Sequence, residues 1–199
     1  MALKTVSSPL SPEIARSLRV GDQVRLSGRI VTARDEVHRY LASGGAPPVD
    51  LQGLVIYHCG PVAVQEKGIW RVTAAGPTTS MREEPYEARV IRSHHPGAIM
   101  GKGGMGENTL RALQSEGCAY LHLTGGAAAA VARSITRVED VYLLEFGLPE
   151  AMWVLHVKDL PALVTMDSTG RSLHRDIERD SQENLQQILR RPFNSAEGT

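Results

Sequence analysis

Residues 101–123 read GKGGMGENTLRALQSEGCAYLHL. The stretch opens on glycines at 101, 103, 104 and 106, continues through ten residues that carry Leu110 and Leu113 on one side, stops at Gly117, and ends on Ala119–Leu123. A glycine turn, a helix over Glu107–Glu116, a glycine stop and a short apolar strand form one unit of alternating α and β structure. Working outward, the same grammar recurs. Gln23 to Thr32 alternates apolar and polar residues as a strand does, and Asp35 opens a short helix with Val37, Tyr40 and Leu41 on its apolar face. Leu54–His58 and Ile69–Ala74 read as strands, Glu83–Arg92 as a helix, and Ala127–Arg133 as a helix of small residues. Val138–Phe146, Trp153–Val157 and Ala162–Asp167 read as three further strands. The pattern predicts a single α/β domain with a mixed sheet and short helices. Residues 1–12 read as an N-terminal leader, 13–170 as the domain, and 171–199 as a charged helix or tail.

Composition limits the classes of function. At 199 residues the chain is long enough for one real core, and its 42% hydrophobic content is ordinary. Twenty-two basic residues balance 22 acidic ones, which argues against a nucleic-acid binder that relies on a basic face. No segment approaches the roughly 20 apolar residues of a membrane span, and residues 1–12 lack the apolar run of a secretory signal. The two cysteines, Cys59 and Cys118, form no CxxC pair, so zinc and redox motifs are absent and a reducing cytoplasm is expected. Neither His94–His95 nor any other group reads as a metal site, so no metal is assigned to this chain.

Two stretches carry chemistry. Gly76-Pro77-Thr78-Thr79-Ser80-Met81-Arg82 places hydroxyls and an arginine in a turn, and 20 positions after Arg82 comes Lys102 in its glycine loop. An arginine grips a carboxylate through two parallel hydrogen bonds. A glycine turn at a helix N-terminus presents N–H groups to an anion. Gly101-x-Gly103-x-x-Gly106 also matches a dinucleotide fingerprint, but the acidic ribose anchor is missing, and Gly103 after Lys102 breaks the P-loop pattern. The bland reading is a tight turn with Lys102 in solvent.

Together with Thr32-Ala33-Arg34-Asp35-x-x-His38-Arg39, His58-x-Gly60-Pro61 and Glu145-x-Gly147-x-Pro149-Glu150-x-x-Trp153, these motifs occur in an order and spacing that resembles class I fumarate hydratases. The match is to the C-terminal domain of the single-chain enzymes and to the separate β subunit of two-subunit fumarases and of L-tartrate dehydratase. The resemblance implies a swivelling β/β/α domain and an iron–sulfur hydro-lyase that converts fumarate and L-malate. It implies a [4Fe–4S] cluster held by three cysteines of a partner α subunit, in a hetero-oligomer; two scattered cysteines here agree with that. It assigns substrate binding to Arg34, Arg82 and Lys102, with Gly101 and Gly103, and proton abstraction to Thr78. Asp35, His38, His58 and Thr79 stand behind these residues as supporting groups. Met81 resembles the tartrate dehydratase pattern, and Glu83 follows Arg82 where the family usually has Met, so the dicarboxylate stays open between fumarate and tartrate.

Without the resemblance, Thr78 and Thr79 read as turn hydroxyls, His38 and His58 as core histidines, and Cys118 as packing. A solitary anion-binding domain without catalysis is the alternative from another class.

Overall fold

The computed structural model describes residues 2–190. Its strands are β1 (Leu3–Ser8), β2 (Gln23–Thr32), β3 (Val55–Tyr57), β4 (Val62–Glu66), β5 (Ile69–Ala74), β6 (Ala98–Gly101), β7 (Ala119–His122), β8 (Ile135–Tyr142) and β9 (Met152–Met166). Its helices are α1 (Pro12–Ser17), α2 (Asp35–Ala42), α3 (Glu84–His94), α4 (Glu107–Glu116), α5 (Ala128–Ser134) and α6 (Leu173–Arg190). Seven strands form one sheet in the order β1-β2-β3-β6-β7-β9-β8, and β4 and β5 form a separate hairpin whose turn uses the left-handed residues Lys67 and Gly68. The links β1–β2, β2–β3, β3–β6 and β6–β7 are parallel, and β9 runs antiparallel to its neighbours. Because β9 also pairs with β2, the sheet closes on itself through β3, β6 and β7.

Strand periodicity divides the core between two faces. Ile56, Ile99, Tyr120 and Val154 pack beneath α2, α3 and α4 through Val37, Leu41, Val90, Ile91, Leu110 and Leu113. Val55, Tyr57, Met100, Leu121 and Leu155 face the other way, toward Leu18, Val131 and Trp153. Each fully buried Val, Leu or Ile contributes about 1.5–3 kcal/mol.

Several expectations need correction. Residues 3–8 of the expected leader are β1, parallel to β2 from Leu3↔Gln23 to Ser8↔Gly28. Its alternate residues Val6 and Ser8 are buried, and Ser11 caps α1 by accepting from the Ile14 N–H. The residues before the glycine loop are the end of α3 and then β6, which is buried along its whole length. β8 starts three residues earlier than expected, and Leu144–Phe146 forms a single 3₁₀ turn instead of its end. The two strands expected over 153–157 and 162–167 are one strand, β9, bulged at Lys158–Asp159 where the register passes from Gly28↔Val157 to Leu26↔Leu160. Two strands, β4 and β6, had no expectation. The charged segment after 171 is helical from Leu173 and anchored at its start, where His174 bonds the Thr165 hydroxyl at 2.9 Å. Residues 191–199 of that expected tail lie outside the described residues.

Candidate active site

Three parallel strands end side by side, with Thr32 opposite Tyr57 and Tyr57 opposite Met100. The residues just beyond those ends are Arg34, His58 and Lys102, at the C-terminal ends of parallel strands, where α/β folds collect ligand contacts. The Gly-Pro-Thr-Thr-Ser segment is stitched into the same edge. The Thr78 N–H donates to the His58 carbonyl at 2.7 Å, the Lys102 N–H to the Thr78 carbonyl at 3.2 Å, and the Ser80 N–H to the Lys102 carbonyl at 3.0 Å. Thr78 is thereby held between the end of β3 and the glycine loop, although 24 positions separate it from Lys102 in the sequence. Gly101 makes this approach possible, since a Cβ there would sit 2.0 Å from the Ser80 hydroxyl oxygen.

The two arginines meet at one carboxylate. Arg82 grips Asp35 with two bonds, Nε to Oδ1 at 3.2 Å and Nη2 to Oδ2. Arg34 lies 4.0 Å from the same Asp35 oxygen and 3.2 Å from Glu150. A guanidinium has five N–H donors, so Arg82 keeps both Nη1 donors and one on Nη2 for another acceptor. The Nε of Arg34 is buried and has no partner among the described residues. The unused donors of the exposed Arg82 are what an anion would take up. Lys102 is half-buried and its head reaches toward Gly125, about 4.0 Å from where a Cβ would stand. Thr79, Met81, Arg82 and Gly103 are exposed, while Thr78 and Arg34 are half-buried.

The glycine loop does not act as expected at its helix end. Gly103 and Gly104 both have positive φ, but the N-terminus of α4 already has an anion of its own. Glu84 accepts from the N–H groups of Gly106, Asn108 and Thr109 at 2.8, 3.1 and 3.3 Å, and from the Thr109 hydroxyl at 2.6 Å. The place a pyrophosphate would take is occupied by this side chain, which removes the nucleotide reading. Gly104 approaches His174 so closely that a Cβ would stand 2.3 Å from its ring, and a cavity of about 280 Å3 lined by Met81, Gly103, Met105 and His174 lies alongside.

Beneath the arginines lies a fully buried polar cluster that the sequence reading named only in part: His38 and His58, with Ser80, Glu83 and Glu87. Burial alone would push the His38 imidazole down, but the Glu87 and Glu83 carboxylates override it and raise it to about 9. Burial likewise opposes the Glu87 charge, and His38 and His58 overcome it and hold that carboxyl down to about 2. Glu83, whose desolvation is not so compensated, is pushed up to about 7. His58 is lowered by burial, with Glu87 opposing. Glu83 turns inward to His38 and is fully buried, although it directly follows the exposed Arg82 in sequence. A trace of this cluster was in the sequence: Glu83 and Glu87 are four apart, on the face that continues through Val90 and Ile91, where an amphipathic helix should be apolar.

Cys59 and Cys118 are both buried and unpaired, and they are the two cysteines of the sequence. Among the described residues no helix is long and apolar enough to cross a membrane.

Comparison with known proteins supplies relatives for this geometry. A family model described as Fumarase C-terminus matches residues 3–177. A Geobacillus stearothermophilus protein named class I fumarate hydratase is 55% identical over 185 residues, 92% of this chain but 36% of that protein, so the chain spans about a third of that relative's length. Two proteins named L(+)-tartrate dehydratase subunit beta are also similar. The one from Methanocaldococcus jannaschii is 39% identical, covering 90% of this chain and 95% of its own length, and the one from Escherichia coli is 36% identical, covering 85% and 86%.

Proposed function

The chain belongs to the fumarase C-terminus family, and from that premise we propose that it is the β-type half of a hydro-lyase that adds water to fumarate to give L-malate, and the reverse. The observation that carries the reading is the pair of arginines, 48 positions apart in sequence, that meet at Asp35 with donors to spare, beside a threonine fixed between two strand ends. Arg34, Arg82 and Lys102 bind the dicarboxylate, with Gly101 and Gly103 letting the backbone come close. Thr78 takes the C3 proton of malate. The electron pair of the broken C–H bond becomes the new double bond, and on the way it loads charge onto the neighbouring carboxylate. Cations placed where that charge develops stabilise the transition state more than the ground state. An alcohol is a weak base unless its alkoxide is stabilised, and the same cations supply that stabilisation.

Departure of the C2 hydroxyl has no candidate group on this chain and falls to a partner α subunit. We assign the [4Fe–4S] cluster to that partner, in the cytoplasm, where two buried free thiols are stable. Support for a missing half comes from the openness of the site: Thr79, Met81, Arg82 and Gly103 lie exposed, with apolar Met81 and Leu148 about half-exposed.

L-Tartrate is the second reading. It is favoured by the two relatives named for that dehydratase whose length this chain covers almost entirely. The test is co-expression with the cluster-bearing partner and comparison of kcat/KM for fumarate, L-malate and L-tartrate. A preference for malate over tartrate supports the first reading, the opposite preference supports the second, and a reconstituted, iron-loaded assembly that turns over neither would refute both.

A further inference from the structure

One carboxylate oxygen organises the buried cluster. Glu87 Oε2 lies 2.9 Å from His58 Nε2 and 2.9 Å from His38 Nε2. The outer ring nitrogens are engaged as well. His38 Nδ1 is 3.0 Å from the Arg34 carbonyl, which can only accept, so Nδ1 carries a proton. Glu87 Oε2 lies off the line of a hydrogen bond from His38 Nε2, so this contact is a charge pairing, and an ionised carboxylate at 2.9 Å favours a proton on that nitrogen as well. His38 is then an imidazolium with Glu87 as its counter-ion. On the other side, His58 Nδ1 is 2.9 Å from the Ser80 hydroxyl, which is 2.7 Å from the Tyr120 phenol. One direction of donation satisfies every group: Tyr120 to Ser80, Ser80 to His58, His58 to Glu87.

Each histidine is tied to a different half of the anion site. His38 sits one turn after Arg34 and Asp35 at the start of α2. His58 holds Thr78 through its carbonyl and Ser80 through its ring, in the loop that leads to Arg82. We propose that Glu87 is a positioning residue, which through His38 and His58 sets the spacing between Arg34 and the Thr78–Arg82 loop and so the spacing at which a dicarboxylate is held. This rests on the reading of the site as a dicarboxylate clamp. An ion pair suits the task because it fixes direction as well as distance, and losing one member strands a buried charge.

The groups that face the cluster from surrounding elements are Glu83, 3.6 Å from His38 Nδ1, Asp35 of α2, Tyr120 of β7 and Cys118 just before it. A metal ion is the rival use of the same atoms, since the ligand atoms of His38, His58 and Glu87 all lie within 4.8 Å of one another. It would need both Nε2 atoms bare.

The test is Glu87→Gln in the full chain assembled with its partner, with 15N-labelled histidine in the free chain. Expected in the unaltered protein at pH 7 are two ring protons on His38. Expected in Glu87→Gln, folded by circular dichroism, are one ring proton on His38, a KM for L-malate raised about tenfold or more with a smaller fall in kcat, and an alkaline limb of KM moved to lower pH. Glu87→Asp should restore part of each effect. A folded Glu87→Gln with unchanged KM and pH profile overturns the proposal, as does a singly protonated His38 at pH 7 or a stoichiometric bound metal in the unaltered chain. If Glu87→Gln does not fold, the His38 spectrum of the unaltered chain decides. If the assembly proves inactive, L-malate binding by calorimetry and the ring protons still test Glu87, while the assignment of the reaction alone falls.

Discussion

Thr78 and Arg82 lie four positions apart in sequence and should separate on mutation. A base acts in the transition state, so Thr78→Ala in the assembled enzyme should lower kcat by at least about a hundredfold with little change in KM. Arg82→Lys should raise KM, because an ammonium cannot hold Asp35 and a substrate carboxylate with separate pairs of donors. Steady-state kinetics on both variants check this, and a Thr78→Ala enzyme of near-normal kcat would make the hydroxyl a positioning group. At this scale the sequence drew attention to polar side chains near turns. Thr78 and Lys102 stood out beside proline and glycine, and Arg34 and Arg82 within the longer motifs that hold them. Glu84 and Glu87 were not legible as functional groups. A glutamate on a helix reads as a solvated charge, and only the fold reveals that one caps α4 and the other binds two histidines.

Two glycines show how elements answer differently to the same change. Gly28 has a φ of +99°, and a Cβ there would stand 2.2 Å from the Ser8 carbonyl, so β1 can lie against β2 only because the position is bare. Gly28→Ala should cost ~2 kcal/mol or more of stability, seen as a lower urea midpoint, with activity per folded molecule nearly unchanged because β1 is remote from the arginines. Gly101→Ala should lower both, since its Cβ meets the buried Ser80 hydroxyl that bonds His58 and Tyr120, and displaces the loop that carries Thr78. A lower urea midpoint combined with lost turnover per folded molecule is the expected pair of results. The elements that were legible, such as β2, α2 and α4, are long enough for a period to show. β6, four residues and wholly buried, has no alternation to read, and β1 hid its alternation in serine and threonine.

For the molecule as a whole, the buried charges set the dependence of stability on pH. His38 rises from an ordinary 6.5 to about 9, so its contribution is complete below pH 6.5 and is lost as pH climbs toward 9. Glu87 falls from 4.5 to about 2, so its contribution is complete above pH 4.5 and is lost as pH drops toward 2. Glu83 moves the opposite way, from 4.5 to about 7, and it takes stability away as pH rises across that interval. Thermal denaturation should therefore place the highest Tm between about pH 4.5 and 6.5. Glu83→Gln should gain on the unaltered chain from pH 4.5 up to about 7 and hold a constant advantage above it. A Tm maximum near pH 8 would contradict the assignments of His38 and Glu83. The layer of helices over a sheet was readable from the repeated turn–helix–strand units. Closure of the sheet was not, because it depends on β9 being one bulged strand, and the Lys-Asp pair at its bulge, followed by Pro161, reads as a break.

That closure also imposes an order in time. β2 spans residues 23–32 and waits for residues 154–163 to occupy its free edge. A ribosome adding about 5–20 residues per second needs on the order of ten seconds to cover that gap. During this interval that edge of β2 is an unpaired template, and Arg25 and Arg29 are the charges that discourage a neighbouring nascent chain from annealing to it. Ribosomes that pause between codons 33 and 151 should raise the yield of aggregate, whereas pauses after codon 166 should not.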